Sequence, residues 1–180
     1  CLRLDYAKSE KFHLDIIAAR AAPELSSTGT ALEVPDRKIH GWIESDPKGY
    51  LNWFHERKKV FLLERGKEIL ADVEPAPEQP GKGKAPLQLA IQLLKRDRDL
   101  EFEADPDIAP ISIIITTLAA KAYGHQADIE DAFRAIVTGM PKSFDRLENG
   151  YAEVLNPTNS SENFADKWQE HPERREAFFK

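Results

Sequence analysis

The spacing of the apolar side chains changes once along this chain, near Ser45, and that change limits the folds open to it. Residues 1–43 alternate between apolar and polar side chains, as β-strands do. From Pro47 onward the large apolar side chains recur at the spacing of one helix face. Strands that come first and helices that follow are typical of an α+β fold. We therefore expect two parts, residues 1–45 and residues 46–180.

Four extended segments are predicted before the change of spacing. Residues 2–7 and 12–17 predict neighbouring antiparallel strands joined by a polar turn. Residues 31–36 and 38–43 predict a second extended pair on either side of a turn at Asp36. The chain opens inside a strand pattern without methionine and ends inside a helical pattern. We therefore expect a fragment of a longer protein.

Four helices are predicted after the change, because each range carries a proline start, a glycine stop or an acidic first turn. They span about 47–68, 86–102, 110–124 and 127–140. Asp46 is expected to cap the first helix, since a carboxylate can accept hydrogen bonds from the free N–H groups of a first turn.

Three other segments carry local signals. Residues 74–84 are rich in Pro, Gly and Lys and predict a mobile loop. The pair Asn149-Gly150 predicts the turn of a small hairpin near residues 144–155. A last amphipathic stretch is expected to begin near Glu162.

The composition excludes several classes of protein. The net charge of −6 leaves no electrostatic footprint for long nucleic acid. One cysteine, Cys1, excludes an internal disulfide framework and a zinc site built on several thiolates. No apolar run approaches the roughly 18 to 20 residues that cross a bilayer, and no signal peptide is visible. We expect a cytoplasmic protein with no membrane partner.

Asp15 is the first candidate site residue, because it interrupts the apolar strand "FHLDII". A carboxylate at the edge of a sheet, facing water, is one interpretation. The other is a ligand for a hard divalent cation, since Mg²⁺ accepts one or two carboxylates together with substrate phosphates. His13 shares the face of Asp15 and is either a structural histidine or a metal or general-base group.

Lys95 and Ser112 are the other candidates. Lys95 lies on the apolar face of its helix, so it either snorkels to water or reaches phosphate oxygens. Ser112 stands near a helix N-terminus, where a cap and an anion site are both expected. Arg96 and Arg98 are expected to point elsewhere on the helix, into solvent. The aspartates of the same region are interpreted as solvated charges: Asp97, Asp99, Asp105 and Asp107.

Three stretches in this order resemble the bacterial cGAS/DncV-like nucleotidyltransferases of CBASS antiphage systems. They are "FHLDII", "PLQLAIQLLKRDRD" with "PISIIITTLAAKAY", and "NPTNSSENFADKW". The resemblance implies part of a polymerase-β-like nucleotidyltransferase sheet in residues 1–45 and a helical bundle domain in residues 46–180. It implies an enzyme that joins NTPs into cyclic di- or trinucleotides with Mg²⁺ or Mn²⁺, by two-metal phosphoryl transfer.

The same resemblance assigns the site residues. Asp15 matches the third metal-binding carboxylate of the family, and Lys95 and Ser112 match the residues that hold the nucleotide triphosphate. The family's Gly-Ser loop and its first two carboxylates have no counterpart in this sequence, so the chain alone is expected to be inactive. NTP substrates and CBASS accessory proteins are the partners that the resemblance implies.

Two other functions stay open at this point. A template-independent polymerase that adds nucleotides to RNA uses the same fold, although the net charge of −6 disfavours a long RNA partner. A helical interaction module without activity is the second alternative.

Overall fold

The computed structural model describes residues 2–5, 13–36, 40–69, 83–148 and 151–179. Within these ranges the chain is mixed α and β, with small antiparallel sheets and five α-helices. The strands are β1 (Leu2–Asp5), β2 (His13–Ile16), β3 (Arg20–Ala21), β4 (Leu32–Asp36), β5 (Gly41–Ser45), β6 (Arg146–Glu148), β7 (Tyr151–Glu153), β8 (Leu155–Asn156) and β9 (Asn159–Asn163). The helices are α1 (Pro47–Ile69), α2 (Pro86–Glu101), α3 (Ser112–Ala122), α4 (Ile129–Gly139) and α5 (Pro172–Phe178).

The first strand pair is antiparallel, as predicted. Leu2 lies opposite Ile16 and Leu4 lies opposite Leu14, so the four apolar residues share one face of the pair. That face is open in the described structure, since Leu2 is 60% exposed and Leu14 is 45% exposed. The turn predicted between the two strands lies outside the described residues.

The second pair, β4 and β5, is also antiparallel as predicted, with Val34 opposite Ile43. A short third strand, β3, adds to the other edge of β4 and was not predicted. It has only two residues, too few to carry a recognisable alternation. An ion pair between Arg20 and Glu33 joins β3 to β4.

All four predicted helices are confirmed, with ends that shift by a few residues. Asp46 caps α1 as expected, and its Oδ1 accepts a hydrogen bond from the Gly49 N–H at 2.9 Å. The third helix begins at Ser112 rather than at Pro110, because the intervening Ile111 is extended and forms the cap. This shift leaves Ser112 as the first residue of α3.

The hydrophobic core lies among α2, α3 and α4 and extends to the C-terminal segment. Leu87, Ile114, Leu118 and Ile136 are fully buried there. Burying a side chain of this size stabilises a fold by about 1.5 to 3 kcal/mol. The packing of α2 on α3 therefore holds the end of one helix and the start of the other in fixed relative positions.

The C-terminal segment was predicted only in part. The hairpin of β6 and β7 is confirmed, although its Asn149-Gly150 turn lies outside the described residues. The stretch near Glu162 is first a strand, β9, and a helix begins only at Pro172. The β8–β9 pair was not predicted. The mobile loop predicted at 74–84 lies outside the described residues, apart from 83 and 84.

Candidate functional site

The Asp15 side chain is exposed on β2, opposite Arg3 in the strand register. In the same register His13 is paired with Asp5. In the described ranges, no three His, Cys, Asp or Glu residues group as a metal site would require. Within the described residues Asp15 is therefore not part of a cluster of metal-ligating side chains.

Lys95 is half-buried on α2, one turn beyond the buried Ile91. Burial lowers the pKa of Lys95, the positive charge of Arg98 lowers it further, and Asp99 acts in the opposite direction. The ammonium forms no hydrogen bond or ion pair with the residues that the structure describes. A half-buried cation beside a second cation is a favourable place for an anion.

Ser112 occupies the first position of α3, in agreement with the prediction of a first-turn hydroxyl. Its Oγ accepts a hydrogen bond of 2.7 Å from Nη1 of Arg98. The backbone N–H groups of a first helical turn carry partial positive charge and have no intrahelical acceptor. The hydroxyl therefore stands where an anionic oxygen is favoured.

The expectation that Arg98 points into solvent is wrong. Its side chain is only 18% exposed, and it reaches across to α3 instead of outward. It also donates to the carbonyl oxygen of Pro110 at 3.1 Å and pairs with Asp99. Asp99 is thus an ion-pair partner and not merely a solvated charge, whereas Asp97 is exposed as expected. The spacing of Lys95 and Arg98, three residues apart on one helix, is the signal that could have placed them together.

A cavity of about 390 Å³ opens where α2 ends and α3 begins. Its charged and hydroxyl-bearing lining residues are Arg98, Asp99, Glu103 and Ser112, and the chain between the two helices supplies most of the remainder. Its lining consists of Arg98, Asp99, Phe102, Glu103, Pro106, Ala109, Pro110, Ile111 and Ser112. The structure therefore combines a hydroxyl, a guanidinium and a helix N-terminus at the wall of one cavity.

The structure links two of the predicted site residues through a third that was not predicted. Arg98 lies close enough to Lys95 to shift its pKa, and it is hydrogen-bonded to Ser112. That Asp15 faces the same cleft stays a prediction. The cavity beside Arg98 and Ser112 thus carries one guanidinium and one hydroxyl together with two carboxylates, and Lys95 is not among its lining residues.

The chain is similar to a curated protein of Roseivirga ehrenbergii that is described as a c-di-GMP synthase. The two are 35% identical over 177 residues, which are 96% of this chain and 45% of the relative. The chain therefore spans less than half the length of that relative. This similarity supports a relationship to cyclic dinucleotide synthases. No protein-family model matches the chain.

None of the helices that the structure describes is long and apolar enough to span a bilayer.

Proposed function

We propose that this chain is part of a nucleotidyltransferase that makes a cyclic dinucleotide, and that its helical part holds the triphosphate of an NTP substrate. The observation that carries the proposal is the 35% identity to a c-di-GMP synthase over nearly the whole chain. In this proposal residues 1–45 are part of a polymerase-β-like sheet and residues 46–180 are a helical nucleotide-binding domain.

The contacts at the α2–α3 junction support triphosphate binding. Lys95 offers an ammonium that has no internal partner among the described residues, and Ser112 offers a hydroxyl beside the N–H groups of a first turn. Charge-assisted hydrogen bonds to phosphate oxygens are about twice as strong as neutral ones. Binding an anion also relieves the repulsion between Lys95 and Arg98, whose charge lowers the pKa of that lysine.

Asp15 is the group that would hold Mg²⁺ or Mn²⁺. The side chain is exposed on a paired strand and offers a carboxylate, the ligand type that Mg²⁺ prefers, while the family's other two carboxylates have no counterpart in this sequence. Bound Mg²⁺ neutralises phosphate charge and polarises the reacting oxygens. In the proposal Asp15 would orient that cation from the strand and, together with it, accept the proton of the attacking ribose hydroxyl.

The biological setting is part of the same proposal. From the motif resemblance we propose that the enzyme acts in CBASS antiphage defence in the cytoplasm, with NTPs as substrates and CBASS accessory proteins as partners. Which bases are joined follows the relative's printed name, so GTP is the first substrate to test.

The test is product analysis of the full-length protein with radiolabelled GTP and ATP in the presence of Mg²⁺. We expect a small product that resists phosphatase, because a cyclic dinucleotide has no terminal phosphate. Asp15→Asn should abolish it, since an amide oxygen is a poor Mg²⁺ ligand. Asp131→Asn, an exposed carboxylate on α4, is the matched control and should retain activity.

Two results would contradict the proposal. Extension of added RNA without a cyclic product would favour a tailing polymerase. A wild-type protein that binds GTP but forms no product under any of these conditions would favour an interaction module.

A further inference from the structure

We propose that Arg98 is a positioning residue for the phosphate site, which fixes the Ser112 hydroxyl so that its hydrogen points to the bound anion. This inference rests on the proposed function, because it concerns the same triphosphate site. Neither the motif resemblance nor the similarity to the synthase assigns a role to Arg98.

The hydrogen bonds of Arg98 distinguish a positioning residue from a phosphate ligand. Nη1 donates to Ser112 Oγ at 2.7 Å and to the Pro110 carbonyl oxygen at 3.1 Å. Nε donates to Asp99 Oδ1 at 2.9 Å, and Nη2 pairs with the same oxygen. A guanidinium has five N–H donors in a planar fork. Four of them are engaged internally, so the group is fixed in place and has little capacity left for a ligand.

The hydroxyl of Ser112 is left as a donor by this arrangement. A serine hydroxyl has one hydrogen and two lone pairs, and Arg98 occupies a lone pair. The hydrogen is therefore available to an acceptor, and Ser112 lines the 390 Å³ cavity. An acceptor that enters this cavity, such as a phosphate oxygen, completes the hydroxyl's hydrogen bonding.

The charges agree with this division of roles. Asp99 pairs with Arg98, whereas Lys95 forms no ion pair within the described ranges. Lys95 then supplies the attraction to the phosphates, and Arg98 supplies orientation. The bond to Pro110 additionally fixes the last residues before α3, so that the helix N-terminus and the hydroxyl are held together.

A purely structural role is the competing explanation, since the Pro110 bond alone could serve to anchor the chain between α2 and α3. The two explanations differ in ligand dependence. Loss of an anchor lowers the free energy of unfolding and does not change the affinity for GTP relative to that for GMP. Loss of a positioned hydroxyl weakens a triphosphate more than a monophosphate, provided that the hydroxyl binds beyond the α-phosphate.

The experiment compares GTP and GMP binding by calorimetry in the full-length protein with Mg²⁺. The variants are Arg98→Ala, Arg98→Lys, Ser112→Ala, Lys95→Ala and the double variant Arg98→Ala/Ser112→Ala. Arg96→Ala is the matched control, because it removes the same charge from the same helix at an exposed position. Thermal unfolding of each variant reports its stability separately.

We expect Arg98→Ala and Ser112→Ala each to weaken GTP roughly tenfold, the size of one charge-assisted hydrogen bond. GMP affinity and the Arg96→Ala control should change little. The double variant should be no weaker than Ser112→Ala alone, because Arg98 acts through that hydroxyl. If Arg98→Ala does not fold, Arg98→Lys serves instead. It should lose part of the GTP affinity when Ser112 is present and lose nothing further when Ser112 is already replaced by alanine.

The outcomes separate the two proposals. If Lys95→Ala and Ser112→Ala weaken GTP but Arg98→Ala behaves as Arg96→Ala does, the role of Arg98 is wrong and the nucleotide site stands. The role of Arg98 would also be wrong if the double variant lost GTP affinity by the product of the losses in the two single variants. If the wild type does not bind GTP, or if Lys95→Ala and Ser112→Ala bind it as the wild type does, the nucleotide site itself is wrong and this inference falls with it.

Discussion

The phenol oxygen of Tyr50 lies 2.9 Å from the hydroxyl oxygen of Thr117 and ties the first turn of α1 to the middle of α3. Thr117 is fully buried and donates its own hydrogen to the Ile113 carbonyl oxygen at 2.8 Å. Tyr50 must therefore be the donor in the contact between α1 and α3. Since α3 begins with Ser112, this bond couples the first helix to the element that carries the candidate site.

Tyr50→Phe should lower the free energy of unfolding by about 1 kcal/mol, the net value of one buried hydrogen bond. Burial raises the pKa of Tyr50. A raised folded-state pKa contributes stability that is present below the unfolded pKa and lost as the pH rises through the folded value. The wild type should thus lose part of its advantage over Tyr50→Phe in alkaline solution.

Urea unfolding at neutral and alkaline pH checks this prediction. Tyr151→Phe is the control, because its hydroxyl bonds Glu153 on the small hairpin and is not part of the helical core. Equal stability of Tyr50→Phe and wild type at neutral pH would contradict the role given to this contact.

The sequence was sufficient for elements that carry their own periodicity. The strands around Leu14 and Val34 and the four long helices were placed correctly because each shows the alternation or the stripe of its structure. The β8–β9 pair has no such pattern. Its turns are held by polar side chains, as when Asn159 Oδ1 accepts the Ser161 N–H and Asn156 Oδ1 accepts the Thr158 N–H.

The sequence singled out two of the candidate residues for a similar reason. Lys95 was identifiable because a lysine on an apolar stripe conflicts with its surroundings, and Ser112 because it follows Pro110 at a helix start. The hydrogen bond between Arg98 and Ser112 could not be predicted, since it depends on how the aperiodic chain between α2 and α3 folds back. Only the tertiary packing of those helices decides that path.

Gly49→Ala should destabilise the protein, although alanine is the better helix former by about 1 kcal/mol. An added Cβ would clash with Oδ2 of the buried Asp46. That carboxylate cannot easily move, because Thr28 and Thr30 donate to it at 2.6 and 2.7 Å. We expect a net loss of about 1 to 3 kcal/mol in urea unfolding.

Asp46→Ala tests the origin of the Gly49 effect. Added to Gly49→Ala, it removes the clashing atoms, so the double variant should be more stable than the sum of the single losses predicts. Gly124→Ala is the control, because its Cβ would meet only the end of the Gln126 side chain, which can move. Strict additivity of the two changes would contradict the clash.

Arg57→Ala should be more costly than the loss of an ordinary surface arginine. Its guanidinium donates to the Ala120 and Tyr123 carbonyl oxygens, at the end of α3 where carbonyls have no intrahelical partner. We expect unfolding free energy to fall by about 2 kcal/mol. Arg134→Ala, which breaks an exposed pair with Glu130, should cost about 0.5 kcal/mol or less. If Arg57→Ala and Arg134→Ala lose similar amounts of unfolding free energy, the hydrogen bonds of Arg57 to the end of α3 do not have the stabilising role given to them here.

Lys95 should make triphosphate binding sensitive to pH. Burial and then the charge of Arg98 lower the pKa of Lys95, so the free site loses its charge at a lower pH than an exposed lysine does. An anion favours the charged form, and GTP affinity should therefore fall as the pH rises through that pKa. The stability of the unliganded protein should change in the opposite sense, because deprotonation removes a cation that burial disfavours.

Lys95→Arg separates this effect from the titration of the nucleotide itself. Arginine stays charged throughout the accessible range, so the variant should bind GTP with a flatter pH dependence than the wild type. The ligand titrates identically in both proteins, and the difference between the two curves belongs to residue 95. Lys121→Arg is the control, since Lys121 lies in the last turn of α3 and is already paired with Asp145. Parallel curves for wild type and Lys95→Arg would show that Lys95 does not hold the phosphates.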